Sequence, residues 1–115
     1  MATIEEVRHK AGRLLGVVRY GQALKPEDDL LLTETYAQVY DSLKDEGVAV
    51  WASAGPVPDR VSSHVSALMA FEACDDKSVS NARYNRILSR RNVAMPEIRR
   101  LTQPSYESLD EPVDY

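Results

Sequence analysis

The chain has 115 residues, 43% of them apolar, and a net charge of −4. That is the size of one domain with enough apolar surface for a core, which excludes a wholly disordered chain. No run approaches the roughly 18 apolar residues of a membrane span. The acidic start, Met1-Ala2-Thr3-Ile4-Glu5-Glu6, lacks the apolar stretch of a signal peptide. Cys74 is the single cysteine, so no internal disulfide forms; it suits a reducing compartment, with a buried free thiol as its plainest reading. With one Trp, one Phe and six Tyr, a core must rest on Leu, Val, Ile and Ala, which suits packed helices.

The first predicted helix starts at Thr3. Thr3-x-x-Glu6 is a capping box, in which each side chain satisfies a free backbone N–H of the other residue. Ile4, Val7, Ala11, Leu14, Leu15 and Val18 then recur at spacings of three and four, one apolar stripe. Gly16 weakens its end and Gly21 breaks the chain direction. The second helix begins near Pro26, whose missing N–H is not needed in a first turn. Glu27, Asp28 and Asp29 follow, at the positive end of the helix dipole. Leu32, Tyr36, Val39, Tyr40 and Leu43 form its stripe, widened by Leu30 and Leu31. Gly47 is the expected stop.

Residues 47–51, Gly-Val-Ala-Val-Trp, are short, β-branched and aromatic, and read as an extended segment or a short strand needing a partner. Residues 53–58 are a Gly/Pro loop. The third helix starts about Pro58-Asp59, with Val61, Val65, Leu68, Met69 and Glu72 along one side. Ala67, Ala70, Phe71 and Ala73 lie close by, and the small residues imply close helix approach. Asp75 to Ser78 ends it. The fourth helix starts near Ser78 or Ser80, either a suitable N-cap. Tyr84, Ile87 and Leu88 form its apolar side, and Arg83, Arg86, Arg90 and Arg91 its basic side. Asn92 and Pro96 are expected to close it, leaving 96–101 for one more short helix. Beyond Leu101 no helical stripe remains. Tyr106, Leu109, Val113 and Tyr115 stand among four acids and two prolines. That composition reads as a tail that orders on a partner, with a plain disordered end as the alternative.

Charge is segregated along the chain. Residues 1–76 sum to −6, 77–101 to +6 and 102–115 to −4. Such blocks mark surfaces that meet something, or plain solvated faces. Catalytic chemistry finds little support. Gly12, Gly16 and Gly21 do not follow a strand as a phosphate loop requires. His9, His64 and Cys74 lack the spacing of a metal site. His64 among Ser62, Ser63 and Ser66 reads as a polar helix face. Asp28-Asp29 and Asp75-Asp76 sit at helix ends, where acids are structural. No enzyme activity and no cofactor are expected. Arg83, Arg86 and Arg90 share a helix face and suit phosphate, carboxylate or protein partners. A small helical DNA-binding or regulatory protein is therefore one reading, though the overall acidity also fits a basic stripe facing acidic neighbouring subunits.

Several segments carry a resemblance. The first helix ends in Ala11-Gly12-Arg13-Leu14-Leu15-Gly16-Val17. The second runs through Leu43-Lys44-Asp45-Glu46-Gly47-Val48 to Trp51. An Ala-rich third contains Phe71-Glu72-Ala73-Cys74, and a fourth carries Asn81-Ala82-Arg83-Tyr84 before a proline-containing tail. Over roughly residues 3–101 this resembles the head-to-tail connector proteins of tailed bacteriophages, also called adaptor, head-completion or packaged-DNA-stabilising proteins. The resemblance implies a virion protein of the neck, made in the host cytoplasm. It implies a ring of twelve copies beneath the portal protein, which extends the channel for packaged DNA, helps retain the genome and docks a tail or nozzle protein. It also implies that Tyr106, Leu109, Val113 and Tyr115 anchor the tail to the portal. Val48, Val50, Trp51 and Val57 would then lie in the loop facing the tail protein or a neighbouring subunit. The expected fold is all-α: a bundle of four helices over 1–101, with an extended loop or short strand after the second, and an extended acidic tail over 102–115.

Overall fold

A computed structural model describes residues 1–102. Tyr106, Leu109, Val113 and Tyr115 lie outside the described residues. The described residues form four α-helices, α1 (Ile4–Leu15), α2 (Pro26–Asp45), α3 (Asp59–Ala73) and α4 (Asn81–Thr102), with a 3-10 turn (Cys74–Asp76) between the last two. The fold is all-α.

Local chemistry sets the ends of these helices. Thr3 accepts the Glu6 N–H at 3.1 Å while the Glu6 carboxylate accepts the Thr3 N–H at 2.8 Å, completing the capping box. Gly16 ends α1 in the left-handed region at φ +83°, its N–H returning to the Arg13 and Gly12 carbonyls. Val18 therefore falls beyond the helix yet stays buried. A side chain at Gly12 would place its Cβ 2.8 Å from Leu24 and 3.0 Å from Val18, so glycine lets the following loop close over α1. Pro26 opens α2 in its first turn, and Gly47 at φ +79° follows its last residues. Ser80 is the cap of α4, accepting the Arg83 N–H at 3.1 Å.

The third helix is the hub. It packs most extensively on α4, then α1, then α2, while α2 and α4 barely meet. Val61, Val65, Met69 and Ala70 are fully buried. Its buried set runs almost all the way round, as expected of a helix enclosed on several sides. Leu32 and Leu43 from α2, Val7 and Ala11 from α1, and Ile87, Ala94 and Ile98 from α4 close on it.

One expectation changes, and one open alternative is decided. Pro96 does not end the fourth helix; α4 continues through it to Thr102. Proline removes one backbone hydrogen bond, but Pro96 faces solvent while Ala94 and Ile98 beside it are fully buried. Burial on both sides holds the helix together where local propensity would end it. Of the two readings of the segment after α2, an extended loop or a short strand, the loop is present: Val48 to Trp51 form no strand. The one β-type pairing among the described residues joins Ala2 to Val57, with Ala2 N–H to the Val57 carbonyl at 2.8 Å and the reverse bond at 2.7 Å.

Candidate functional site

The loop after α2 was expected to face a partner through Val48, Val50, Trp51 and Val57. Three of these side chains instead complete the chain's own core. Val48 and Trp51 are buried and Val57 is fully so. Trp51 donates its indole N–H to the Tyr36 hydroxyl at 3.0 Å, and Tyr40 donates its hydroxyl to the Trp51 carbonyl at 2.7 Å. The Tyr40 and Trp51 rings meet edge to face. Both tyrosines lie on the inner face of α2, so the loop is fastened to the bundle by a buried polar pair. Burial pushes the Tyr36 hydroxyl above its ordinary pKa. Val50 alone remains outward, 60% exposed.

The four arginines read as one basic face also separate. Arg83 donates to the Leu14 carbonyl at 3.0 Å, a free carbonyl of the last turn of α1. Its guanidinium lies where a side chain at Gly16 would stand. Arg83 is therefore a cap for another helix. Arg91 lies 5.0 Å from the centre of the Phe71 ring, a cation–π contact. Arg99 binds Glu46 at 2.8 Å and Arg100 binds Glu97 at 2.8 Å; the Arg100 guanidinium holds the Glu97 carboxyl below its usual range. Arg86 and Arg90 are exposed, and among the described residues neither has a hydrogen-bonding or ionic partner.

Two grooves flank α4. The inner one, about 310 Å³, lies between α2 and α4 over α3. Leu43, Leu68 and Met95 line it, and Glu46, Glu72, Arg91 and Arg99 edge it. The outer one, about 410 Å³, runs between α3 and α4 and is lined by Ser63, His64, Ala67, Ser89, Arg90 and Val93. Among the described residues no acid lines it, and Val93 is 54% exposed at its edge. Neither groove nor the unpaired state of Arg86 and Arg90 was visible in periodicity, because both depend on how α3 and α4 meet.

Four of the remaining candidates for chemistry, Asp28, Asp29, His9 and Cys74, have structural partners, while Asp75 and Asp76 are exposed at the end of α3. Asp28 is buried against the Lys77 ammonium and Asp29 binds Arg8 at 2.9 Å, so this acid pair fastens the start of α2 to two other segments. His9 Nε2 meets the Gln22 carbonyl at 2.5 Å. Cys74 is buried, and its thiol is pushed above its ordinary pKa, first by that burial and then by Asp75. Among the described residues no three His, Cys, Asp or Glu side chains converge as metal ligands. No helix among them is long and apolar enough to cross a membrane. Compared with family models, curated proteins and solved structures, the chain finds no match.

Proposed function

We propose that this chain is an assembly protein: a head-to-tail adaptor of a tailed bacteriophage that forms a ring beneath the portal, extends the DNA channel and docks the tail. The observation that carries the reading is a surface of a finished bundle that has no partner among the described residues. Arg86, Arg90 and the exposed Val93 stand on the outside of α4, while the core beneath them is closed. Surface of this kind, with arginine beside an apolar side chain, suits protein contact. The segments that resemble the connector family support the specific role. Residues 11–17 form the end of α1 with its left-handed Gly16, and residues 43–48 form the exit from α2 with its left-handed Gly47. In this reading 103–115 joins the portal through Tyr106, Leu109, Val113 and Tyr115. Val50 is the outward side chain of the loop for a tail protein or a neighbouring copy, and packaged DNA passes nearby without sequence-specific contact.

Mass measurement of the chain mixed with a candidate portal tests this. A defined ring on the portal, lost when the chain is cut after Leu101, is the expected result; a cut chain that still assembles complete connectors overturns the tail's role. The second reading, duplex-DNA binding through α4, draws on the same Arg86 and Arg90. Two such arginines per copy give a log affinity that falls with log salt at a slope of about −2. Arg86→Ala with Arg90→Ala would abolish DNA binding in that case, whereas an adaptor would show no such affinity to lose.

A further inference from the structure

We propose that in the free subunit residues 103–115 fold back and lie in the outer α3–α4 groove of their own chain. This goes beyond the adaptor reading and does not depend on it. The argument begins with charge. The segment holds Glu107, Asp110, Glu111 and Asp114 and no base. The outer groove has Arg90 and His64 in its lining and, among the described residues, no acid. Arg86 lies one turn before Arg90 on α4, and Arg60 one turn before His64 on α3, each on the same side of its helix. Glu97 is the nearby acid, and Arg100 already holds it at 2.8 Å. The inner α2–α4 groove offers a poorer fit: Glu46 and Glu72 edge it, Arg99 is paired with Glu46, and Arg91 stands over the Phe71 ring.

Reach and apolar chemistry agree with the charge. The segment leaves from Thr102, the last residue of α4, and α4 is itself one wall of the groove. From Leu101 back to Arg86 the helix rises about 22 Å at 1.5 Å per residue. Thirteen extended residues reach about 43 Å at 3.3 Å each. The segment is therefore long enough to span the groove. Val93, over half exposed and beside Ala67 in the groove, offers an apolar seat that Tyr106 or Leu109 would cover. A segment tethered at the lip of its site also meets it at a far higher effective concentration than a segment from another molecule.

The test is paramagnetic broadening in the full-length chain. A nitroxide is placed at Ser108→Cys in a Cys74→Ala background, and in parallel with Cys74 retained, whose buried thiol reacts slowly. The expected result is loss of the amide signals of residues 63–67 and 89–93, with those of 38–46 kept. The lost signals should return with Arg86→Ala and Arg90→Ala together, with Leu109→Ala, or in strong salt. Broadening that appears only when spin-labelled chain is mixed with a separate isotope-labelled chain overturns the proposal in favour of exchange between copies. Loss along 38–46, or no loss anywhere, overturns it outright.

Discussion

Trp51 ties the loop to α2 through the Tyr36 and Tyr40 hydroxyls. Tyr40→Phe leaves the ring in place but strands the buried Trp51 carbonyl, which costs about 1–3 kcal/mol. Urea titration should show that loss, with the α-helical signal of the folded state unchanged. Tyr36 adds a pH dependence. Its hydroxyl titrates higher in the folded chain than the ordinary value of 10.0, because burial disfavours the phenolate. The folded state therefore holds its proton more tightly. That contribution is fully present below pH 10 and is lost as pH rises through the folded value. Unfolding free energy should fall on alkaline titration above that point, and less steeply in Tyr36→Phe. Periodicity had already placed Tyr36 and Tyr40 on the inner stripe of α2. It could not show that their hydroxyls reach Trp51, since that depends on how an irregular loop returns to the helix. The Asp28–Lys77 contact was hidden for the same reason: an acid in a first helical turn looks complete in the helix dipole until burial reveals a second partner.

At the scale of elements, the joins between helices matter most. Arg83 links α4 to the end of α1 through the Leu14 carbonyl. Arg83→Ala should cost about 1.5 kcal/mol, as for a hydrogen bond to a charged group. Arg86→Ala and Arg90→Ala, on the solvent side, should stay within about 0.5 kcal/mol of the parent. Thermal denaturation of the three variants separates these roles. Pro96 interrupts the ladder of α4 on its exposed side, so Pro96→Ala should raise stability by up to about 3 kcal/mol, readable in the same experiment. Helix starts were legible where chemistry is local: the Thr3–Glu6 box, Pro26, and the serines before α4. The continuation of α4 beyond Pro96 was not, because Ala94 and Ile98 hold it through burial against the bundle, a term outside any short window of sequence.

For the whole molecule, the division of charge has a colloidal consequence. Residues 103–115 hold four acids and no base, so a chain ending at Thr102 would have no net charge in place of −4. Proteins near zero net charge associate more readily. Light scattering at neutral pH and low salt should therefore show self-association of the shortened chain at concentrations where the full chain stays dispersed. The all-α class and the four-helix count were legible because the 3.6-residue period is a property of each segment alone. The candidate surface was only half legible. Residue types marked α4 as basic, but which arginines stay outward depends on the carbonyl, ring and carboxylates that three-dimensional packing brings to the others.

The chain has one tryptophan, and it sits in the clasp between the loop and α2. Its emission is therefore a built-in optical gauge of that clasp, separate from helix content. A shift to longer wavelength while circular dichroism holds steady would report the loop lifting away from an intact bundle. If the two signals change together, loop and bundle form one cooperative unit, and any partner that recruits the loop must work against the stability of the whole fold.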